Sequence, residues 1–302
     1  MKLSERILDA GFWLGWNVLW VLPAPLAYFS FDAAAKISWR LRITGVRQLE
    51  ANLSRVLDCA IDDPRIRPLS RRAMRSYMRY YCETFLLPRW SPAELNDRVV
   101  AINDAPIRQA LTQGGAVLTL PHSGNWDMAG AWAALNFGSL CTVAERLRPE
   151  GVFQKFLKMR RDRGMSLMPL TGEGGTYEYL RDHVNHGRLV ALLGDRDVAK
   201  NGMGNQFFGF RASLPIGAAL LAIDTGRPLF TCAPSYDGDK LVITFDNEVI
   251  FDRSEVSGRE RLRRAQEVTA LVVKNFEQHL IAHPENWHQL QPVWADLNEQ
   301  AK

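Results

Sequence analysis

From residue 116 onward, short apolar runs alternate with longer stretches whose apolar residues recur every three or four positions. The runs predict strands at 116–120, 141–143, 166–169, 189–193, 229–233 and 241–245. The periodic stretches between them predict helices at 125–135, 152–163, 176–183, 215–224 and 260–282. Strand, crossover helix and strand, repeated in this way, build a mostly parallel sheet with helices on both faces. The last two runs form a hairpin-like section that is expected to be antiparallel. Ahead of this region, 47–57 and 69–87 carry amphipathic helical periodicity, and 107–113 reads as a helix ended by Gly114 and Gly115. The expected fold class is α/β, a mostly parallel central sheet flanked by helices in an α/β/α sandwich, entered through an N-terminal amphipathic helical segment.

The segment 7–31 is apolar and holds Trp13, Trp16 and Trp20, yet Asp9 and Asn17 interrupt it and Pro23 and Pro25 break it. It is a poor transmembrane span for that reason. It also lacks the basic start, clean apolar core and small-residue cleavage site of a secretory signal. A helix lying in the membrane interface and a helix packed on the core both remain open. The division that follows is 1–45 as an N-terminal membrane-interface helical segment and 46–302 as the catalytic domain. Arg71, Arg72, Arg75 and Arg79 lie along 69–87 and suit lipid phosphate, though a solvated helical face is the commoner meaning of such charges.

No Pro/Gly/Ser-rich linker divides the 302 residues, and 47% hydrophobic residues are enough to fill one core. The net charge of +4 is mild and mostly arginine, which suits an anionic membrane surface or a phosphorylated co-substrate and argues against a nucleic-acid partner. Cys59, Cys82, Cys141 and Cys232 stand singly without C-x-x-C spacing, so a reduced, cytosolic setting is expected. The histidines lack metal-ligand spacing, and neither a metal nor a bound cofactor is expected.

The chemistry concentrates in Pro121-His122-Ser123-Gly124-Asn125-Trp126-Asp127, directly after the first predicted strand of the alternating region. On one continuous helix, residues five apart point about 140° away from each other. His122 and Asp127 work together only if His122 lies in the turn before the helix, and Pro121, Ser123 and Gly124 supply such a turn. An aspartate in the first helical turn then reaches back to the imidazole, fixes its tautomer and stabilises its protonated form, which describes a general base. The bland alternative is a histidine satisfied by a helix-capping aspartate. His122, Glu145 and Asp195 all follow strand ends, so the pattern puts them on one rim of the sheet. The glycine-rich 172–176 lacks the lysine and spacing of a P-loop, and no G-x-S-x-G elbow occurs. Without a placed Ser or Cys nucleophile, a covalent enzyme intermediate is disfavoured and direct transfer is favoured. Trp287 and His288 read as packing residues.

The His-X4-Asp segment resembles that of membrane-associated acyltransferases. With Thr142 to Glu150, Gly194-Asp195-Arg196-Asp197 followed by Phe207-Phe208-Gly209, and the tail His283-Pro284-Glu285-Asn286-Trp287-His288-Gln289-Leu290-Gln291-Pro292-Val293-Trp294, the chain resembles the bacterial lipid A biosynthesis acyltransferase family. Within that family it is most similar to the actinobacterial phosphatidylinositol mannoside acyltransferases. The resemblance spans most of the chain in the expected order. It implies an acyltransferase-like fold and adds Asp195 to the surroundings of His122, at a place where that branch carries the longer glutamate. It also implies that Glu145 lies near the acceptor sugar, that Arg160 holds the donor and that Asp224 is an acidic ligand residue, for which a turn aspartate at a helix end is the plain alternative.

The activity implied is transfer of a long fatty acyl chain from acyl-CoA to a mannose hydroxyl of a phosphatidylinositol mannoside. Acyl-CoA is then a co-substrate, the partners are a membrane glycolipid and an anionic membrane surface, and the protein acts as a monomer. The expected location is the cytoplasmic face of the inner membrane, held peripherally. Two rivals remain from the residues alone: a late lipid A acyltransferase using acyl carrier protein as donor, and a non-catalytic lipid-binding protein of the same fold.

Overall fold

The computed structural model describes residues 21–145, 150–169 and 175–298. The tryptophans at 13, 16 and 20, residues 146–149 of the stretch after the 141–143 strand, and 172–174 of the glycine-rich segment lie outside the described residues.

Three helices come first: α1 (Ala24–Arg40), α2 (Thr44–Val56) and α3 (Ile66–Leu86). Val46, Leu49 and Leu53 repeat at helical spacing on α2 and meet Ala35 of α1 and Leu69, Ala73 and Met74 of α3 in a small core of their own. The prolines break the N-terminal segment as expected, helix being interrupted at Leu22 and Pro23, and they start α1. Pro23 occupies its N-cap and Pro25 its first turn, where a missing N–H leaves no bond unmade. One face of α1 lies along α3, while Leu26, Phe29 and Ile37 on the other remain exposed.

Next come α4 (Pro92–Arg98), opened by a Ser91/Glu94 capping box, then β1 (Val99–Ile102) and α5 (Ala105–Gln113). The alternating region follows as β2 (Ala116–Leu120), α6 (Trp126–Phe137), β3 (Leu140–Ala144), α7 (Glu150–Asp162), β4 (Met165–Pro169), α8 (Thr176–Asn185) and β5 (Leu189–Leu193). A separate hairpin, β6 (Met203–Phe207) and β7 (Phe210–Leu214), leads to α9 (Gly217–Thr225), β8 (Leu229–Asp237), β9 (Lys240–Phe245) and α10 (Gly258–Ala282). The predicted mostly parallel sheet is present, in the order β1-β9-β8-β2-β5-β3-β4, and only the β8–β9 pair within it is antiparallel. The pattern did not predict β1, α4 or the β6–β7 hairpin. β1 is a four-residue edge strand whose apolar run, Val99-Val100-Ala101-Ile102, is too short to stand out, and the hairpin mixes glycine and polar residues.

Side chains alternate between two layers. Leu118 and Leu120 of β2 and Ala191 of β5 face the layer of α4, α5, α6 and α7, whereas Val117, Val190 and Leu192 face α8, α9 and α10. Because both faces are covered, all five residues of β2 are buried.

The turn from β2 into α6 is a tight point of this frame. Gly124 has φ +54°, and a Cβ there would stand 2.6 Å from the Pro234 carbonyl oxygen of β8. Its backbone also donates to the Asn286 carbonyl at 2.9 Å. Gly124→Ala should therefore destabilise the fold by about 1–3 kcal/mol, from left-handed backbone strain and the close approach together. The check is the urea midpoint; an unchanged midpoint would show that the turn can relax away from Pro234.

Candidate active site

Strand register brings the central pair together. β2 and β5 run parallel with Leu120 opposite Leu193, so the residues two further on, His122 and Asp195, come out side by side. Gly194 lets the chain pass here, since a Cβ would lie 2.5 Å from Thr119 Oγ1 and 3.1 Å from the Phe276 ring. His122 Nδ1 stands 2.5 Å from Asp195 Oδ1, and the other carboxylate oxygen accepts from the Trp287 indole N–H at 2.8 Å. Asp195 is fully buried. Burial alone would raise its pKa, but the charge and hydrogen bond of His122 and the bond from Trp287 outweigh it and hold the carboxyl below its usual range. An ionised carboxylate only accepts, so His122 directs Nδ1–H at it, and the neutral tautomer that this selects has its lone pair on Nε2.

The partner expected from the spacing, Asp127, does not fill that place. Its carboxylate accepts from Arg160 of α7 at 2.5 and 3.2 Å and from the Tyr80 hydroxyl of α3 at 2.9 Å. The physical reason is the arginine. A guanidinium buried between two helices needs a counter-charge, and the first turn of α6 provides one. Arg160 remains firmly protonated because Asp127 and Tyr80 outweigh the burial that opposes its charge.

Residue Asn125 caps α6, its side-chain oxygen accepting from Met128 N at 2.9 Å while its amide donates to the buried Glu83 of α3 at 3.2 Å. Glu83 also accepts from Arg79 and Tyr236. The C-terminal tail closes the other side. His288 N donates to the His122 carbonyl at 2.9 Å, and Ser123 and Trp287 form an antiparallel bridge. The His288 side chain is buried against Ser76, its Nε2 2.9 Å from the hydroxyl. Burial, and then the nearness of His122, push its pKa down to about 3.

His122 stands at a cavity of about 420 Å³ that runs between α6 and the sheet. Ala129, Gly130 and Ala133 of α6 form its roof, and the floor is apolar, from Leu118 and Ala191 to Phe245 and Met165. Tyr77, Tyr80 and Tyr81 of α3 stand along its wall, with Tyr80 stacked on Trp126 at 3.9 Å. Cys232 also lines it, but burial raises its thiol pKa far above the usual value and leaves it a poor nucleophile. Glu145 lines the same cavity and pairs with Arg196 at 2.5 Å; both residues border a second, polar cavity of about 490 Å³.

Of the residues singled out in the sequence, the structure thus gathers His122, Asp127, Glu145 and Arg160 on the cavity, with Asp195 directly behind His122. Asp224 is not among them. It sits in the last turn of α9, held by Arg261 and Tyr177. Tyr80, Glu83, Arg196 and the indole of Trp287 escaped the sequence reading. Trp287 and Arg196 stand inside motifs already noted, whereas Tyr80 and Glu83 give no signal until α3 is placed. Among the described residues no cluster of His, Cys, Asp and Glu is arranged to hold a metal.

A histidine backed by a buried carboxylate at the carboxyl end of a mostly parallel sheet, opening on a cavity with an apolar floor, suits an acyl-handling enzyme. The chain belongs to the bacterial lipid A biosynthesis acyltransferase family, whose model matches residues 3–296, and it is an acyltransferase. A relative from Mycolicibacterium smegmatis, named phosphatidylinositol mannoside acyltransferase, is 34% identical over 308 aligned positions covering 100% of this chain and 96% of its own. One of the same name from Mycobacterium tuberculosis is 35% identical over 307, covering 99% and 92%.

His288 makes the site sensitive to acid. Its folded pKa of about 3 lies below the ordinary 6.5, so in between the unfolded chain binds the extra proton and stability falls as pH drops from 6.5 toward 3. The loss from this group should reach about 2 kcal/mol by pH 5. Urea unfolding of wild type and His288→Gln between pH 7 and 5 should show a shallower fall in the variant; parallel curves would contradict the assignment.

Proposed function

We propose that the protein transfers a long-chain fatty acyl group from acyl-CoA to a mannose hydroxyl of a phosphatidylinositol mannoside. The observation that carries this reading is the apolar cavity ending at the basic nitrogen of His122. The name of the full-length relatives supplies the acceptor. In this reading the acyl chain lies under α6 with its thioester at His122. His122 Nε2 takes the proton of the attacking hydroxyl as its oxygen bonds to the thioester carbon. The carbon–sulfur bond then breaks, and the departing thiolate takes the proton back from the imidazolium. Asp195 holds the imidazole and stabilises its charge between these steps.

Arg160, fixed by Asp127, serves the donor side, and Glu145 with Arg196 faces the sugar at the polar end. A carboxylate beside a guanidinium offers both acceptors and donors to hydroxyl groups. Asp224, away from the cavity, holds α9 to α10 through Arg261. The enzyme works peripherally on the cytoplasmic face of an inner membrane, where the donor's apolar acyl tail and the acceptor's lipid anchor are met. The exposed Leu26, Phe29 and Ile37 of α1 support that placement. Among the described residues no helix is long and apolar enough to cross a membrane.

Purified protein should move radiolabel from acyl-CoA to the mannoside, with acyl carrier protein as the comparison donor; a preference for the latter would reverse the donor assignment. His122→Ala should lower the rate about 100 to 10,000-fold and, by leaving one oxygen of the buried Asp195 carboxylate without its partner, should also lower the melting temperature. A variant that keeps its activity would sink the base assignment. Gly130→Leu places a side chain toward Met165 and Leu140 in the cavity, so it should shift preference toward shorter acyl-CoA. An equal loss at every chain length would mean that the acyl chain lies elsewhere.

A further inference from the structure

The aromatic cluster around Trp287 explains a large ring at this position but not its nitrogen. Trp287 is fully buried against Phe207, Phe208 and Trp294, and a phenylalanine would fill most of the same space. A buried indole N–H must find an acceptor. The one it finds is Asp195 Oδ2, the oxygen that His122 leaves open. The backbone beside Trp287 is tied to the same turn from both sides, Gly124 N donating to Asn286 O and His288 N to His122 O, each at 2.9 Å. The tail thus grips the histidine by its main chain and the aspartate by an indole.

We propose that Trp287 is a positioning residue for acyl transfer, its N–H fixing the plane of the Asp195 carboxylate so that Oδ1 stays directed at His122. The proposal rests on the reading of His122 as the base. With both oxygens bonded the carboxylate cannot turn. Without the indole bond Oδ2 is buried and unsatisfied, and the carboxylate gains freedom to rotate away from the imidazole. Loss of the donor also makes the carboxylate more basic, which stabilises the imidazolium and raises the pH needed to free Nε2.

The other groups facing this pair are themselves paired or uncharged. The Asp127–Arg160 pair joins α6 to α7, and Glu145 is joined to Arg196 across the cavity rim. Tyr80 and Tyr81 of α3 have raised pKa values through burial, and His288 of the tail is held neutral down to about pH 3. Asp197, on the loop of Asp195, accepts from the backbone of Asn201 and Gly202.

Replacement of Trp287 by phenylalanine tests this. Trp287→Phe should lower kcat by about tenfold or more, leave both KM values within about twofold, and move the acid limb of the kcat profile upward by roughly 0.5–1 pH unit. Combined with Asp195→Asn, it should cost little beyond Asp195→Asn alone, because the indole acts through that carboxylate. Multiplying effects, or an unmoved acid limb with only a lower melting temperature, would overturn the proposal and leave Trp287 a packing residue. In case the variant does not fold, 15N-tryptophan-labelled wild type provides a second measurement. One indole N–H should titrate with the acid limb of activity and stop doing so in His122→Ala, and no such resonance would equally overturn it. Should the wild type transfer nothing to the mannoside, the substrate reading fails instead, and the indole titration still judges the link from Trp287 through Asp195 to His122.

Discussion

The site depends on one carboxylate that has no access to water. An ionised aspartate in an apolar interior is unfavourable by several kcal/mol unless its oxygens are bonded from within. Asp195 draws its two side-chain partners from residues 73 and 92 positions away, a histidine after β2 and a tryptophan of the tail. Satisfying this single group ties the β2–α6 turn, the end of β5 and the C-terminal segment into one unit. It also selects the tautomer that leaves Nε2 of His122 basic.

The same economy of charge fixes α6. Glu83 holds the capping Asn125, and Asp127 is bonded to Arg160 and Tyr80, so the first turn of α6 is anchored to α3 and α7 by polar contacts. The remainder of the helix is rich in alanine and glycine. Small side chains on a helix held in place from its end leave volume against the sheet, and the cavity lies there. Asp127 thus serves the architecture of the cavity, although its spacing from His122 points to the base itself.

In the proposed function, the arrangement of the first three helices follows from the substrates. α3 carries the tyrosines along the cavity wall, and α1 packs on α3 while keeping an apolar line exposed. An enzyme that accepts an acyl chain and a lipid-anchored sugar gains by carrying its membrane-facing surface on the helices next to its cavity.

Hydrophobic period alone determined the layers of this protein. Largely apolar runs of three to five residues and their intervening helices are local properties, and the strands at 116–120 and 189–193 are found at those residues. A turn before α6 was also legible, since Pro121, Ser123 and Gly124 have few other uses in such a place. Which acid faces His122 was not, because that depends on β5 lying beside β2 with Leu193 opposite Leu120, and strand order and register are set by long-range packing. Asp127 lost the histidine to a residue 68 positions further on because Arg160, on another helix, had the stronger electrostatic demand. Trp287 shows the same division: composition and burial explain its ring, while only the folded chain brings its nitrogen to Asp195. Local sequence set the elements and the chemistry available at each strand end, and tertiary structure chose the partners, since a buried charge is answered by whichever group the fold brings within reach.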